Sequence, residues 1–255
     1  MPVPGSARAA IVVKSQPFAP MGATTGMPRM KSATLKKTPA APRRTAAVRA
    51  AQTTPEHTVQ DIIAIATEEF ARKGLAGARV DEIAERMATS KRTIYYHFGG
   101  KEGLYLAVLE EAYRRMRSIE TELDIEHLAP EEALRRLVGF TFDYQSANPD
   151  FIRLVMNENI HNGEFLRQSK EIQQLNVPAI SAVRRIYERG VAEGVFRAGL
   201  DPVDLHMSIS ALSFFNVSNR HTFSLIFKHD MASPAEFARR RDNVIEMIVR
   251  FVRTG

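Results

Sequence analysis

Prolines 55, 130, 149, 178, 202 and 234 stand at or near the heads of segments with an apolar period of 3.6 residues. Proline has no N–H to give and a fixed φ, so a helix accepts it in its first turn and resists it elsewhere. Repeated six times, this placement constrains the chain to a succession of helices. No alternating strand pattern and no internal repeat is found, so the expected fold is all-α. Thr54-Pro55-Glu56 spells a helix start: a hydroxyl cap, Pro at the first position and an acid in the first turn. Val59, Ile62, Ile63, Ala66 and Phe70 then follow the helical period, and Gly74 predicts a left-handed stop. A second helix is expected over Val80–Met87, with Asp81 and Glu82 at its positive end. Ser90 caps a third over Lys91–Phe98, Gly99-Gly100 breaks it, and Lys101 opens a long fourth through Leu104, Val108 and Tyr113. Further helices are expected near 130–147, 150–160, 163–175, 177–193, 202–220 and 234–253.

The 255 residues contain no cysteine, which excludes disulfides, zinc–thiolate sites and thiol nucleophiles. No apolar run approaches the roughly 18 residues of a spanning helix, and no secretory pattern is present. The expectation is a soluble cytoplasmic protein without a membrane partner. The net charge of +6 is unevenly placed. Nine of the 35 Lys and Arg residues lie in residues 1–52, which hold no acid, leaving 26 basic against 29 acidic residues elsewhere. That leader is rich in Ala, Pro, Ser and Thr and is read as disordered. It is a passive or mis-started tail (Met21, Met27 and Met30 are alternative first residues), a basic arm on DNA phosphates, or a transit peptide.

The stretch SKRTIYYHFGGKEGL, residues 90–104, crowds cations, hydroxyls and rings onto one short helix. Two short helices with a tight turn, the second displaying such groups, form a helix-turn-helix reader. Ser90, Lys91, Arg92 and Thr93 would face base edges and phosphates from the N-terminal end of that helix. Tyr95, Tyr96 and His97 would reach phosphates or stack at the groove edge, while Ile94 and Phe98 serve the core. Lys101 would meet a phosphate at the start of the next helix. Tyr95, His97 and Lys101 thus mainly position; Lys91, Arg92, Thr93 and Tyr96 specify.

VDEIAERMATSKRTIYYHFGGKEGLYLAVLEE resembles the DNA-binding domain of the TetR family of bacterial transcriptional regulators. The resemblance is close over about residues 55–105 and extends in architecture over 53–255. It implies a helix-turn-helix domain over 53–100 and a helical ligand-binding and dimerisation domain over 101–255. It also implies a homodimer on a palindromic double-stranded operator, usually a repressor, released by a small molecule. Three positions depart from the family pattern. Met87-Ala88-Thr89 replaces the usual Ala-Gly-Val turn, Arg79 replaces a Ser or Thr cap, and Arg92 replaces a frequent Gly. Arg79 loses a cap worth about 1 kcal/mol and offers a phosphate contact instead. Thr89 joins the DNA-facing set.

The last two long helices carry more than one apolar stripe each. Leu205, Ile209, Leu212 and Asn216 make one stripe and Met207, Ala211, Phe214 and Phe215 another. Phe237, Val244, Ile248 and Phe251 make a third, and Ile245, Val249 and Val252 a fourth. A second stripe calls for a partner. The family pairs its last two long helices across a dimer, which assigns Met207, Ala211, Phe214, Val244, Ile245, Ile248, Val249 and Val252 to that interface. Two Asn/His-rich segments suggest an effector pocket. Arg153, Asn157, Asn159, His161 and Phe165 come from the first; Phe215, Asn216, Asn219, Arg220 and His221 come from the second. Aromatic or carboxylated cargo would suit them. Neither cofactor nor metal is expected, and the chain is not read as an enzyme. The rival readings are a helical metal-binding protein or enzyme built on Glu158 and His161, an RNA-binding or purely interacting helical protein, and an activator of the same fold. Di-iron chemistry would need a second Glu-x-x-His, and none occurs.

Overall fold

The computed structural model describes residues 55–255, so the readings of the leader and of the Thr54 cap lie outside the described residues. Ten α-helices follow one another. They are α1 Pro55–Gly77, α2 Val80–Arg86, α3 Lys91–Phe98, α4 Lys101–Thr121, α5 Pro130–Ala147, α6 Pro149–Ile160, α7 Lys170–Ala192, α8 Pro202–Ser218, α9 Arg220–Phe227 and α10 Pro234–Val252. A short 3₁₀ turn, Leu166–Gln168, precedes α7. Gly74 takes the left-handed φ of 67° and interrupts α1, which resumes for a few residues to Gly77. Pro at the first turn of α5, α6, α8 and α10 matches the sequence pattern.

Two expectations fail here. Residues 163–175 and 177–193 do not form separate helices. Ser169 caps a single α7 by accepting the Ile172 N–H, and Pro178 sits in its interior. That proline removes the bond an N–H would give to the Gln174 carbonyl. The helix continues because Ile172, Ala179, Val183, Ile186 and Tyr187 bury one continuous face. The helix expected over 202–220 ends at Ser218, and α9, not anticipated, follows at once.

Two apolar clusters organise the described chain. One joins Ile62, Ala66 and Phe70 of α1 to Ile83, Ile94, Leu104, Tyr105, Val108 and Leu109, and reaches Leu154, Phe165 and Ile172 beyond. Its centre is an edge-to-face run, with Phe70–Tyr105 centroids 5.0 Å apart and Tyr105–Phe165 5.1 Å. Burial and the nearby Glu158 carboxylate push the Tyr105 phenol well above its ordinary pKa. The other cluster is built from α5, α7, α8 and α10. So α4 belongs to the first core at its beginning, while its far end runs on to α7.

Candidate nucleic-acid interface

The α2–α3 turn is built from local bonds. Met87 N–H donates to Ile83 O at 3.2 Å, Ala88 to Glu85 at 3.1 Å and Thr89 to Ala84 at 3.0 Å. Ala88 is left-handed, φ 49°. A Cβ in that region costs about 1 kcal/mol. Ala88→Gly is therefore expected to raise stability by a few tenths to about 1 kcal/mol, read from the urea midpoint at unchanged slope. A lower midpoint would mean the turn is not strained.

Ser90 caps α3, accepting the Thr93 N–H at 3.2 Å, with the two hydroxyls 3.0 Å apart. Ile94, fully buried, pins the helix to the core. The same helical geometry turns Lys91, Arg92, Tyr95, Tyr96 and His97 outward. Tyr96 is 83 % exposed, with its ring edge-on to His97 at 5.1 Å. Thr89 and Thr93 are half-buried, and Arg79 is exposed with no side-chain cap on α2, as its type predicts.

The cations divide into free and engaged. Arg79 and Arg92 make no ion pair among the described residues. Lys91 Nζ lies 2.5 Å from the Asp81 carboxylate. Lys101 Nζ donates to the carbonyls of Ala78 (3.2 Å) and Ala76 (3.4 Å), which ties α4 to the α1–α2 junction. Two of its three donors are thus engaged internally, which leaves one. The α3–α4 joint is equally tight. A Cβ at Gly103 would fall 1.9 Å from the Phe98 carbonyl oxygen, so only glycine fits. Gly99, φ 73°, closes α3 with its N–H on Tyr95 O at 2.8 Å.

The residues expected to bind an effector are not gathered into one pocket. Arg153 is exposed and pairs with Asp150 at 3.4 Å. Asn159 and His161, both exposed, bond carbonyls of their own helix, Val155 and Asn157. Asn157 donates to Phe70 O at 3.4 Å, linking α6 to α1, and Phe165 is core. Phe215 and His221 are exposed, Asn216 is buried and Asn219 half-buried. Arg220 borders a 280 Å³ cleft with Asp143 and Ser146. The Glu158–His161 metal reading also fails on geometry. The buried Glu158 carboxylate accepts the N–H groups of Phe165 (3.1 Å) and Leu166 (3.0 Å), and His161 faces solvent.

A cavity of about 930 Å³ lies elsewhere, between the far half of α4, residues 122–126 and α7. Leu123, Ile125, Leu175, Ala179, Ala182 and Ile186 supply apolar wall. Its arginines are engaged: Arg114 with Glu171, Arg117 with Glu120, Arg185 with Glu126, and Arg189 with the carbonyls of Glu126 and Leu128. Sequence reasoning missed it because such alternating charges look like a solvated face.

The interface assignment needs a similar correction. Val244, Ile245, Ile248, Val249 and Val252 are buried within the subunit against α5, α7 and α8. Met207 and Ala211 are exposed and Phe214 is half-buried. The apolar groups that α8 and α10 leave outside include Val203, Met207, Phe215, Met247 and Phe251.

A helical body carrying a capped reading helix with free cations and exposed rings defines a helix-turn-helix DNA-binding transcriptional regulator. Residues 62–108 match the model described as bacterial regulatory proteins, tetR family. Residues 130–248 match the tetracyclin repressor-like C-terminal domain. The chain is 35% identical over 177 residues to the HTH-type transcriptional repressor NicS of Pseudomonas putida, spanning 69% of this chain and 84% of that protein. It is 35% identical over 138 residues to the repressor SCO4008 of Streptomyces coelicolor, 54% of this chain and 68% of the relative. A solved structure, the transcriptional regulator SCO4942 of Streptomyces coelicolor, aligns at a TM-score of 0.58 and 26% identity, covering 76% of this chain and 98% of that one. The chain belongs to the TetR family, whose members bind DNA operators, dimerise and take small-molecule effectors. Among the described residues no helix is long and apolar enough to cross a membrane.

Proposed function

We propose that this protein is a cytoplasmic homodimeric repressor that leaves a palindromic operator when a small molecule enters the α4–α7 cavity. The observation that carries this reading is the course of α4. Its first turn holds the reading head through Lys101 and Gly103, and its far half lines the 930 Å³ cavity. A 21-residue helix spans about 30 Å, so a shift at one end is delivered to the other. Two reading heads must meet half-sites ~34–36 Å apart. A ligand that prefers the displaced α4 shifts the population away from that spacing. The repressor sign follows the relatives NicS and SCO4008, both transcriptional repressors. With every flanking arginine engaged, apolar and aromatic cargo suits the cavity better than a free carboxylate.

Selection of bound duplexes from a random pool supplies the operator and tests its symmetry; an asymmetric, unpaired site would sink the reading. On that operator, Arg92→Ala is expected to lose about 1–3 kcal/mol and relax one base position. Lys101→Ala is expected to weaken all duplexes alike. A changed sequence preference from Lys101→Ala alone would reverse these roles. For the switch, compounds are screened for operator release by fluorescence anisotropy. Ala182→Phe, which fills the cavity, is expected to keep operator affinity and lose release. Equal release from the filled variant would place the effector elsewhere.

A further inference from the structure

Helix α9 has no buried residue in its own subunit. Its sequence, RHTFSLIF, contains no acid and four large apolar side chains. Leu225, Ile226 and Phe227 are 80, 71 and 63 % exposed. Together they present roughly 400 Å² of apolar surface, as much as the largest patch on a typical monomer. An eight-residue helix is far too short to persist alone. Its order must come from packing, and the subunit supplies little.

The patch is not isolated. Phe227 packs on Phe223 with tilted rings 4.5 Å apart, and Phe223 meets Phe215 of α8 edge-on at 6.1 Å. Phe215 begins the outward apolar groups of α8, which continue through Ala211, Met207 and Val203 at helical spacing. So the exposed surface of α9 is an extension of the face on which the homodimer reading rests. The connection after α9 folds back. Lys228 stops the helix at φ 49°, and Met231, buried, donates its N–H to Ser224 Oγ at 3.3 Å. That anchors the helix at the rim of the α8 face and leaves Leu225, Ile226 and Phe227 bare.

We infer that α9 is a clasp: in the dimer its Leu225–Ile226–Phe227 edge covers the second copy of this chain, enlarging the α8–α10 contact. The inference rests on the homodimer reading, and one series of variants separates the two. Sedimentation is run on the wild type, on Met207→Glu in the α8 face, and on a Leu225→Glu/Ile226→Glu double variant. All three positions are exposed in the subunit, so circular dichroism should be unchanged. Met207→Glu is expected to give monomers. The α9 variant is expected to raise the dimer dissociation constant on the order of 100-fold, as loss of buried anchors does.

A dimer unaffected by the α9 variant, while Met207→Glu splits it, would overturn the clasp and keep the face. A dimer unaffected by both would overturn both. The cysteine-free chain allows a second readout. Ile226→Cys carrying an environment-sensitive dye should be shielded in the dimer and exposed on dilution or in the Met207→Glu background. Dye exposed at every concentration, or shielded only by anionic lipid vesicles, would also overturn the proposal.

Discussion

Gly103→Ala is expected to abolish operator recognition while leaving the C-terminal helices folded. The added Cβ would sit 1.9 Å from the carbonyl oxygen of Phe98, a backbone atom that no rotamer change can move. Relief requires α4 to lift from α3 or the last turn of α3 to rotate. That turn carries Tyr95, Tyr96 and His97, and its closing glycine leads straight into α4. Overpacking of this kind costs about 1–3 kcal/mol or more, and here the strain falls on the joint that aims the reading helix. Anisotropy on the selected operator should show at least ~100-fold weaker binding, about 2.7 kcal/mol, with helical content nearly intact. Wild-type affinity in this variant would mean that the α3–α4 joint does not set the orientation of the reader.

The second large effect comes from a contrast of two glutamates. Ile248 is 2 % exposed and Met207 62 % exposed. Ile248→Glu places an unpaired carboxylate among Val138, Phe142, Leu205 and Val244 in the second core. Such a charge costs more than about 3 kcal/mol or forces the core open. Loss of cooperative melting is expected, not an ordered monomer. Met207→Glu puts the same group where solvent already reaches. The subunit should stay folded and separate from its partner, with operator affinity lost because two half-sites no longer bind as one. A well-folded monomer from Ile248→Glu would return the α10 stripe to the interface.

Local chemistry made much of the reading head legible. Ser90 as a cap, Gly74 as a left-handed stop, Ala88 in a strained turn and Ile94 as an anchor all depend on neighbours within four residues. What lay beyond reach depends on which side of an apolar helix meets the core. Ile245 and Val249 of α10 read as a spare stripe, yet both are buried with α5 and α8, and the large apolar groups that α10 leaves exposed are Met247 and Phe251. Pro178 read as a helix start because the sequence cannot show that Ser169 had already begun α7 and that packing outweighs one missing bond. The cavity was invisible for a different reason. Its arginines are engaged within the subunit, Arg114 by Glu171 of another helix and Arg185 by Glu126 of the α4–α5 connection, pairings set only by the fold.

The Lys91–Asp81 pair has a consequence for how the free protein searches DNA. Asp81 occupies the place that a phosphate or a base edge would otherwise claim on Lys91. If the reader binds DNA as proposed, bringing Lys91 fully onto a phosphate means exchanging this exposed carboxylate, a trade worth at most about 1 kcal/mol. An acid on α2 is thus a weak internal competitor for one cation of the proposed reader.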